Sequence, residues 1–221
     1  MKNALLIGSS GGIGTALHAE LTLRGARVTA LSRRDDGLDV TDEASIARLL
    51  GALEGPFDTV LVATGALELG PHRPEKALRG VTPEALAAQF ALNATGPLLV
   101  LKHALRLMPR AEPVRFAALS ARVGSIGDNG LGGWYSYRAA KAALNQLIHT
   151  AAIEVTRSHP QSVVVTMHPG TVDTSLTAQH RGTHAAMPPA EAAHHLLDVL
   201  TTLTPAQSGG FFDWQGAAVP W

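Results

Sequence analysis

Residues 4–14 read ALLIGSSGGIG, a short apolar run that leads directly into a cluster of glycines. The apolar run predicts a buried β-strand, and the pattern over residues 15–24 predicts a helix immediately after the glycines. Glycine is needed at Gly8, Gly12 and Gly14 because the chain must turn tightly and a phosphate must approach backbone N–H groups without an intervening Cβ. This arrangement predicts a cradle for a dinucleotide pyrophosphate.

The alternation of strand and helix continues along the chain and predicts the fold. Strands are expected at 4–7, 27–32, 57–64, 114–120 and 162–170, and helices at 15–24, 42–53, 83–90, 93–108 and 135–157. Continuous apolar strands separated by helices indicate a parallel sheet covered on both faces. The sequence therefore predicts an α/β protein, a single-domain Rossmann fold over residues 1–221 with a doubly wound parallel sheet. A cofactor half is expected to about residue 110, and a catalytic and substrate half after it.

Composition narrows the possible functions. Lys and Arg number 18, Asp and Glu number 18, and Cys is absent. The balanced charge gives no electrostatic footprint for nucleic acid or an anionic membrane, so small molecules or other proteins are the expected partners. The lack of cysteine excludes disulfides, thiolate metal sites and cysteine nucleophiles. With no apolar run of about 18 residues and no signal-peptide pattern, a soluble cytoplasmic protein is expected.

The end of the second predicted strand indicates which dinucleotide binds. Ser32 ends this strand and is followed by Arg33 and Arg34, with no acidic residue at 31 or 32. In dinucleotide folds an acid at this point binds the ribose 2′-hydroxyl, whereas an arginine accommodates a 2′-phosphate. The sequence therefore favours NADP over NAD, with Arg33 as the candidate contact.

A tyrosine and a lysine lie one helical turn apart in the stretch WYSYRAAK at 134–141. Residues four apart project from the same face of a helix, so the ammonium of Lys141 can approach the phenol of Tyr137 and a bound ligand together. Taken alone, the spacing also fits an ordinary amphipathic helix with a core aromatic residue and a solvated lysine.

Together these motifs resemble the short-chain dehydrogenase/reductase family over nearly the whole chain. The matching segments are GSSGGIG at 8–14, the pair Asp39 and Val40, Asn93 in LNATG, YRAAK at 137–141 and HPGTVDT at 168–174. The segments SARVGSIGDN, GGWYSYRAAKAALN and FFDWQGAAVPW are similar to the C-factor-like and carbonyl-reductase-like branch. The resemblance implies an NADP(H)-dependent enzyme that acts on a small carbonyl compound or its alcohol.

The resemblance also implies roles for individual residues. Tyr137 would be the general acid, and Lys141 would hold the nicotinamide ribose and lower the tyrosine pKa from its reference near 10. Asn93 would position a water that links Lys141 to solvent. The implied cofactor contacts are Gly8, Ser10, Gly12, Ile13, Gly14, Arg33, Asp39, Val40, Ala63, Gly65, Tyr137, Lys141, Pro169, Gly170, Val172 and Thr174.

Two departures from the family pattern concern the site. The usual Asn-Asn-Ala-Gly loop reads Val-Ala-Thr-Gly at 62–65, so an asparagine is missing. The serine that holds the substrate carbonyl is replaced by Ala121. Ser120 is adjacent but should point to the opposite side if strand alternation persists. Ser125 lies in the loop expected to line the pocket, and it is the preferred replacement.

The remaining sequence features bear on metal binding, a surface loop, oligomerisation and an alternative function. No metal site is expected, although His180 with His184 and the pair His194 and His195 invite that reading. Residues 178–189 are expected to form a surface loop, and the closing aromatic residues to pack as core or interface anchors. The alanine-rich helices suggest a homo-oligomer, a dimer or tetramer. Because of Ala121, a weakly catalytic or non-catalytic NADP(H)-binding sensor or signalling protein is the alternative function.

Overall fold

The structure is a computed structural model that describes residues 1–175 and 186–221. Its sheet has six parallel strands in the order β2-β1-β3-β4-β5-β6. The strands are β1 (Asn3–Ile7), β2 (Arg27–Leu31), β3 (Thr59–Val62), β4 (Val114–Leu119), β5 (Ser162–His168) and β6 (Phe211–Asp213). The α-helices are α1 (Gly12–Leu23), α2 (Arg33–Asp36), α3 (Glu43–Gly51), α4 (Pro83–Phe90), α5 (Gly96–Ala104), α6 (Tyr135–Ser158) and α7 (Pro189–Thr202).

Helices cover both faces of the sheet, because successive side chains of each strand point to opposite faces. Leu5 and Ile7 of β1 belong to a core shared with α3, α5 and α6. Ala4 and Leu6 belong to a second core shared with α1 and α7. Burial on both sides explains why the strands are continuous apolar runs. The predicted doubly wound Rossmann fold is confirmed.

The order β2-β1-β3 fixes where a ligand can bind. From β1 the chain crosses to β2 on one side, and β3 lies on the other side, so the crossovers diverge between β1 and β3. In open α/β sheets, ligands bind at the carboxyl ends of the strands at such a switch point. The glycines that follow β1 lie at this edge.

The structure differs from the sequence expectation in four places. The two helices predicted at 83–90 and 93–108 form one helical segment, in which Ala91–Thr95 is a π-helix joining α4 to α5. Residues 33–36 form the short helix α2, which was not predicted, and the Ser32 side chain caps its N-terminus. Helix α7 and strand β6 were not predicted, the strand because three residues give no readable alternation. Of the loop expected at 178–189, residues 178–185 lie outside the described residues.

The helical segment Pro83–Leu107 is long and apolar enough, by length and composition, to pass for a membrane span. A core helix of a globular domain passes the same test, and side chains of this segment, including Val100 and Ala104, are fully buried in the core beside α6. The packing of this segment against the sheet accounts for its apolar composition.

Candidate active site

The glycine loop is packed too tightly for larger residues. Gly8 has a φ of 89°, and a Cβ there would lie 2.9 Å from the carbonyl carbon of Ala63. A Cβ at Gly14 would overlap the Gly8 carbonyl oxygen, and one at Gly12 would lie 2.7 Å from Thr174 Cγ2. The α1 N-cap residue contributes no side-chain hydrogen bond. The loop therefore presents bare backbone at a helix N-terminus, a geometry that fits a pyrophosphate.

The two arginines after β2 have different surroundings. Arg34 forms an ion pair with Asp35, with 2.9 Å between Nε and Oδ1. Arg33 is exposed and forms no ion pair with any residue that the structure describes. The hydrogen bonds from Thr41 hold the pKa of the Asp39 carboxyl below its usual value, and the charge of Arg33 adds to this effect. Arg33 is therefore the arginine whose charge is available to a 2′-phosphate.

The predicted adenine contacts lie at the carboxyl edge of the same strands. Val40 is buried, and its carbonyl oxygen lies 2.8 Å from the position of a Cβ at Gly96, so α5 packs closely against it. Ala63 extends β3 by one hydrogen bond, from its N–H to Ile7 O at 2.8 Å. The Val-Ala-Thr-Gly loop thus keeps its backbone course beside β1 without the missing asparagine.

Asn93 lies in the π-helix between α4 and α5 and is fully buried. Its Nδ2 donates to Gln89 Oε1 at 2.6 Å and to Ala66 O at 2.9 Å, which leaves Oδ1 with no partner among the described residues. A Cβ at Gly65 would lie 2.8 Å from that Oδ1 and 3.5 Å from Lys141 Nζ. Asn93 and Lys141 therefore face the same small space beside Gly65, which is exposed.

Tyr137 and Lys141 are both buried on α6, with 8% and 3% of their surfaces exposed. Lys141 Nζ lies 5.8 Å from the Tyr137 ring centroid and donates to the Leu119 carbonyl at 2.9 Å. The two side chains thus share the face of α6 that packs on the end of β4. The other tyrosine of the chain, Tyr135, is exposed.

The pKa values differ from the sequence expectation. We expected the ammonium of Lys141 to lower the pKa of Tyr137, but burial raises the pKa of Tyr137 to about 12. Burial also lowers the pKa of Lys141 to about 7. The physical reason is that taking each group out of water disfavours its charged form. Tyr137 is therefore a protonated phenol near neutral pH.

Ser120 and Ser125 flank the short helical turn Arg122–Gly124 that follows β4. Ser120 is buried, and its Oγ has no hydrogen-bond partner among the described residues. Ser125 is also buried, and its Oγ accepts from the N–H of Asp128 at 3.1 Å. A Cβ at Gly124 would lie 2.8 Å from Lys141 Cβ, so this turn lies directly on the helix.

The segment after β5 closes the other side of the site. Pro169 is buried, and Gly170 has a φ of 81° with the Trp214 ring where a side chain would be. Val172 is buried and pairs with Met187 in an isolated bridge. Thr174 is beside Gly12, as given above, so this segment and the glycine loop face each other.

The two described histidines among those considered for a metal site contact carboxylates or an aromatic ring. His180 and His184 lie outside the described residues. His194 lies 3.0 Å from Glu20 and 3.2 Å from Asp198, and the ring of His195 packs 5.1 Å from that of Trp214. Among residues 1–175 and 186–221 there is no group of three or more side chains suited to hold a metal ion.

A model of the short chain dehydrogenase family matches residues 2–185, which include the glycine loop, Asn93, Tyr137 and Lys141. The chain belongs to this family of oxidoreductases. The resemblance predicted from the sequence is confirmed.

This short-chain dehydrogenase is similar in sequence to several named proteins and in fold to several solved structures. It is 34% identical over 168 residues to C-signal of Myxococcus xanthus, covering 76% of this chain and 94% of the relative. It is 29% identical to 1-hydroxy-2-glutathionyl-2-methyl-3-butene dehydrogenase of Rhodococcus sp. (strain AD45), covering 100% of each. The solved structure of a Burkholderia multivorans short-chain dehydrogenase/reductase with bound NADP is 26% identical, with a TM-score of 0.81 and coverage of 100% of this chain and 99% of that one. Carbonyl reductase Sniffer of D. melanogaster, 20% identical with a TM-score of 0.85 over 100% of both chains, supports the fold alone.

Two polar residues of this dehydrogenase that contact the site were missed in the sequence. Gln89 accepts from Asn93 and donates to Leu67 O at 2.9 Å. Glu75 is buried and accepts hydrogen bonds from Ser136, next to Tyr137. Gln89 and Asn93 are four residues apart, so their contact on one face of a helix could have been predicted from the sequence. Glu75 lies 61 residues from Ser136, and no local pattern connects them.

Proposed function

We propose that this dehydrogenase is an NADP(H)-dependent oxidoreductase that transfers a hydride between the nicotinamide and a small carbonyl or alcohol substrate. The observation that carries the proposal is the buried pair Tyr137 and Lys141, held at the carboxyl edge of the sheet beside the glycine loop. The oxidoreductase family and the NADP-bound relative support it.

The site residues fit the cofactor by their own geometry. The absence of side chains at Gly8, Gly12 and Gly14 leaves the N-terminus of α1 uncovered for a pyrophosphate, and exposed Arg33 supplies charge for the 2′-phosphate. Lys141 Nζ carries two hydrogens when neutral and three when charged, and its bond to Leu119 O uses one of them, so at least one donor remains for a ribose hydroxyl.

In this proposal Tyr137 is the general acid in reduction and the general base in oxidation. The chemistry that a bound nicotinamide would supply is hydride transfer to or from the carbonyl carbon. The phenol of Tyr137 gives its proton to the carbonyl oxygen, which yields the alcohol and a phenolate, and in the reverse reaction this phenolate takes the proton of the alcohol. A pKa of about 12 keeps the phenol protonated at neutral pH, the form that reduction requires.

Asn93 and Lys141 give the proton a route back to solvent. The unpartnered Asn93 Oδ1 and the Lys141 ammonium border the same space beside exposed Gly65. A water there would find polar partners on both sides, which is the condition for an ordered bridging water. We infer that such a water connects Lys141 to solvent.

The alternative function is a cofactor-binding sensor or signalling protein with weak catalysis. It is favoured by Ala121, which removes a hydroxyl from the usual carbonyl contact, and by the relative named C-signal. We prefer the enzyme, because Tyr137, Lys141 and Asn93 are all present and buried together.

A panel of small aldehydes and ketones tests the proposal, with NADPH loss followed by absorbance. We expect NADPH-dependent reduction of at least one compound by the wild type and none by Tyr137→Phe. Equal rates for the two proteins on every compound reduced would overturn the mechanism. Tight NADPH binding without reduction of any compound would favour the sensor.

We also propose that the protein is cytoplasmic and forms a homo-oligomer, a dimer or tetramer. Phe90 and Ile153 are exposed apolar residues on the helical segment 83–107 and on α6. Light scattering of the purified protein tests the assembly, where a monomer at micromolar concentration would contradict it, and cell fractionation tests the location.

A further inference from the structure

Glu75 is a buried carboxylate that the proposed mechanism does not use. Only 7% of its surface is exposed. Its Oε2 accepts from the Ser136 N–H at 3.2 Å, its Oε1 accepts from the Ser136 hydroxyl, and its backbone carbonyl accepts from the Trp134 N–H at 2.6 Å. Burying a carboxylate is costly unless hydrogen bonds compensate it, and here they all come from one place, the start of α6.

The start of α6 lacks a cap of its own. Trp134 is the N-cap residue, and its side chain does not cap the helix. Its φ of 53° makes it the only non-glycine residue with positive φ in the part of the chain that the structure describes. The first N–H groups of a helix have no partner within the helix, and its N-terminus favours a negative charge. From a distant segment, Glu75 pairs one of these groups, the Ser136 N–H, and places a carboxylate at the helix N-terminus.

This contact is next to the proposed acid. Tyr137 directly follows Ser136, and the rings of Trp134 and Tyr137 pack edge to face with centroids 6.3 Å apart. Glu75 therefore holds the backbone of Ser136, next to Tyr137, and the backbone of Trp134, whose ring packs against Tyr137. One turn later, Lys141 is held by the Leu119 carbonyl.

The same segment also contacts Asn93. Ala66 O accepts from Asn93, and Leu67 O accepts from Gln89. Residues 66–75 thus connect the residue proposed to hold the bridging water with the helix that carries Tyr137. We propose that Glu75 is a positioning residue that fixes the phenol of Tyr137 for proton transfer, an inference that rests on the proposed function.

Kinetics give the first test. Displacing a reacting group by about 1 Å costs on the order of 100-fold in rate, so Glu75→Ala should lower kcat by about 10- to 100-fold. The Kd for NADPH should stay within about twofold, because Glu75 contacts no proposed cofactor residue. Glu75→Gln keeps an acceptor oxygen for Ser136 and should restore most of kcat. Glu84→Ala is the matched control, since Glu84 is an exposed first-turn carboxylate of α4.

Fluorine NMR gives a second readout that does not depend on activity. The chain has two tyrosines, so fluorotyrosine in a Tyr135→Phe background reports Tyr137 alone. We expect Glu75→Ala to shift or broaden this signal and Glu75→Gln to restore it. An unchanged signal or an unchanged kcat in folded Glu75→Ala overturns the inference. If the wild type reduces no carbonyl, the proposed function fails while the fluorine signal still decides on Glu75. If Glu75→Ala does not fold, Ser136→Ala replaces it, with a smaller loss of kcat expected and no loss contradicting the role.

Discussion

Lys141 donates a 2.9 Å hydrogen bond to the carbonyl oxygen of Leu119, so the lysine of α6 is fixed to the last residue of β4. A flexible lysine would otherwise have many rotamers, and this bond selects one that also faces Gly65 and Asn93. The helix face that carries Tyr137 is thereby set against the carboxyl edge of the sheet, where the glycine loop lies.

Removing the Tyr137 hydroxyl should abolish turnover and leave cofactor binding intact. Loss of a positioned proton donor typically costs about 100- to 10,000-fold in kcat. Tyr137→Phe keeps the buried ring, so the Kd for NADPH, measured by fluorescence, should change little. Tyr135→Phe is the control because Tyr135 is exposed, and similar kinetics for the two variants would show that Tyr137 is not the acid.

Replacing Arg33 should reduce the preference for NADPH over NADH. A charge-assisted hydrogen bond contributes about 1.5 to 3 kcal/mol, so we expect at least about tenfold tighter binding of NADPH by the wild type and little preference in Arg33→Ala. Arg34→Ala should keep the preference, since Arg34 is paired with Asp35. Titration of both cofactors by fluorescence measures this, and equal affinities in the wild type would contradict it.

The replacement for the missing serine can be found with three variants. Ser125→Ala should lower kcat/KM by about 100- to 1,000-fold, as for one lost oxyanion donor, while Ser120→Ala should have a mild effect. The Ser125 hydroxyl can still donate, because its bond with Asp128 uses it as an acceptor. If neither serine substitution changes kcat/KM and Ala121→Ser raises a trace activity, the hypothesis of a sensor is favoured.

The glycine loop should not tolerate even one methyl group at Gly14. Gly14→Ala would place a Cβ on the Gly8 carbonyl oxygen, so the loop must shift and NADPH binding should weaken by tenfold or more, by about 1.4 kcal/mol or greater. Gly51→Ala is the matched control, since it lies in α3 with nothing within 4 Å of its Cβ and should stabilise the protein by about 0.5 to 1 kcal/mol. Calorimetric titration and thermal unfolding measure both, and unchanged NADPH affinity in Gly14→Ala would contradict the cradle.

His168 should make the protein less stable in acid. Burial is the main cause that lowers the pKa of His168 from 6.5 to about 4. The positive charge of Arg122 lowers it further, and this effect is larger than the opposing effect of Asp213. The unfolded chain therefore binds a proton first as the pH falls, and stability on the order of 3 kcal/mol is lost between pH 6.5 and 4. Urea unfolding at pH 7.5 and 4.5 should show a smaller loss for His168→Gln than for the wild type, whereas exposed His18→Gln should match the wild type. Equal losses in all three proteins would contradict this.

Local patterns in the sequence were sufficient to predict the fold and the family. The apolar run at 4–7, the glycines after it and the repeated strand and helix pattern are local signals, since each depends on neighbours a few residues apart. Tyr137 and Lys141 were found for the same reason, because one helical turn fixes their relation. Helix α7, which packs on the sheet, was missed, and strand β6 was missed because three residues give no readable alternation.

The environment of the site residues became visible only in the folded chain. The pKa of Tyr137 follows from its burial, which no spacing reveals, and it moved opposite to the direction expected from Lys141. The contact of Glu75 with Ser136 joins segments 61 residues apart, and the space beside Gly65 forms only when β3, the π-helix and α6 meet. Such relations depend on desolvation and long-range packing, which are properties of the folded chain and not of any stretch of its sequence.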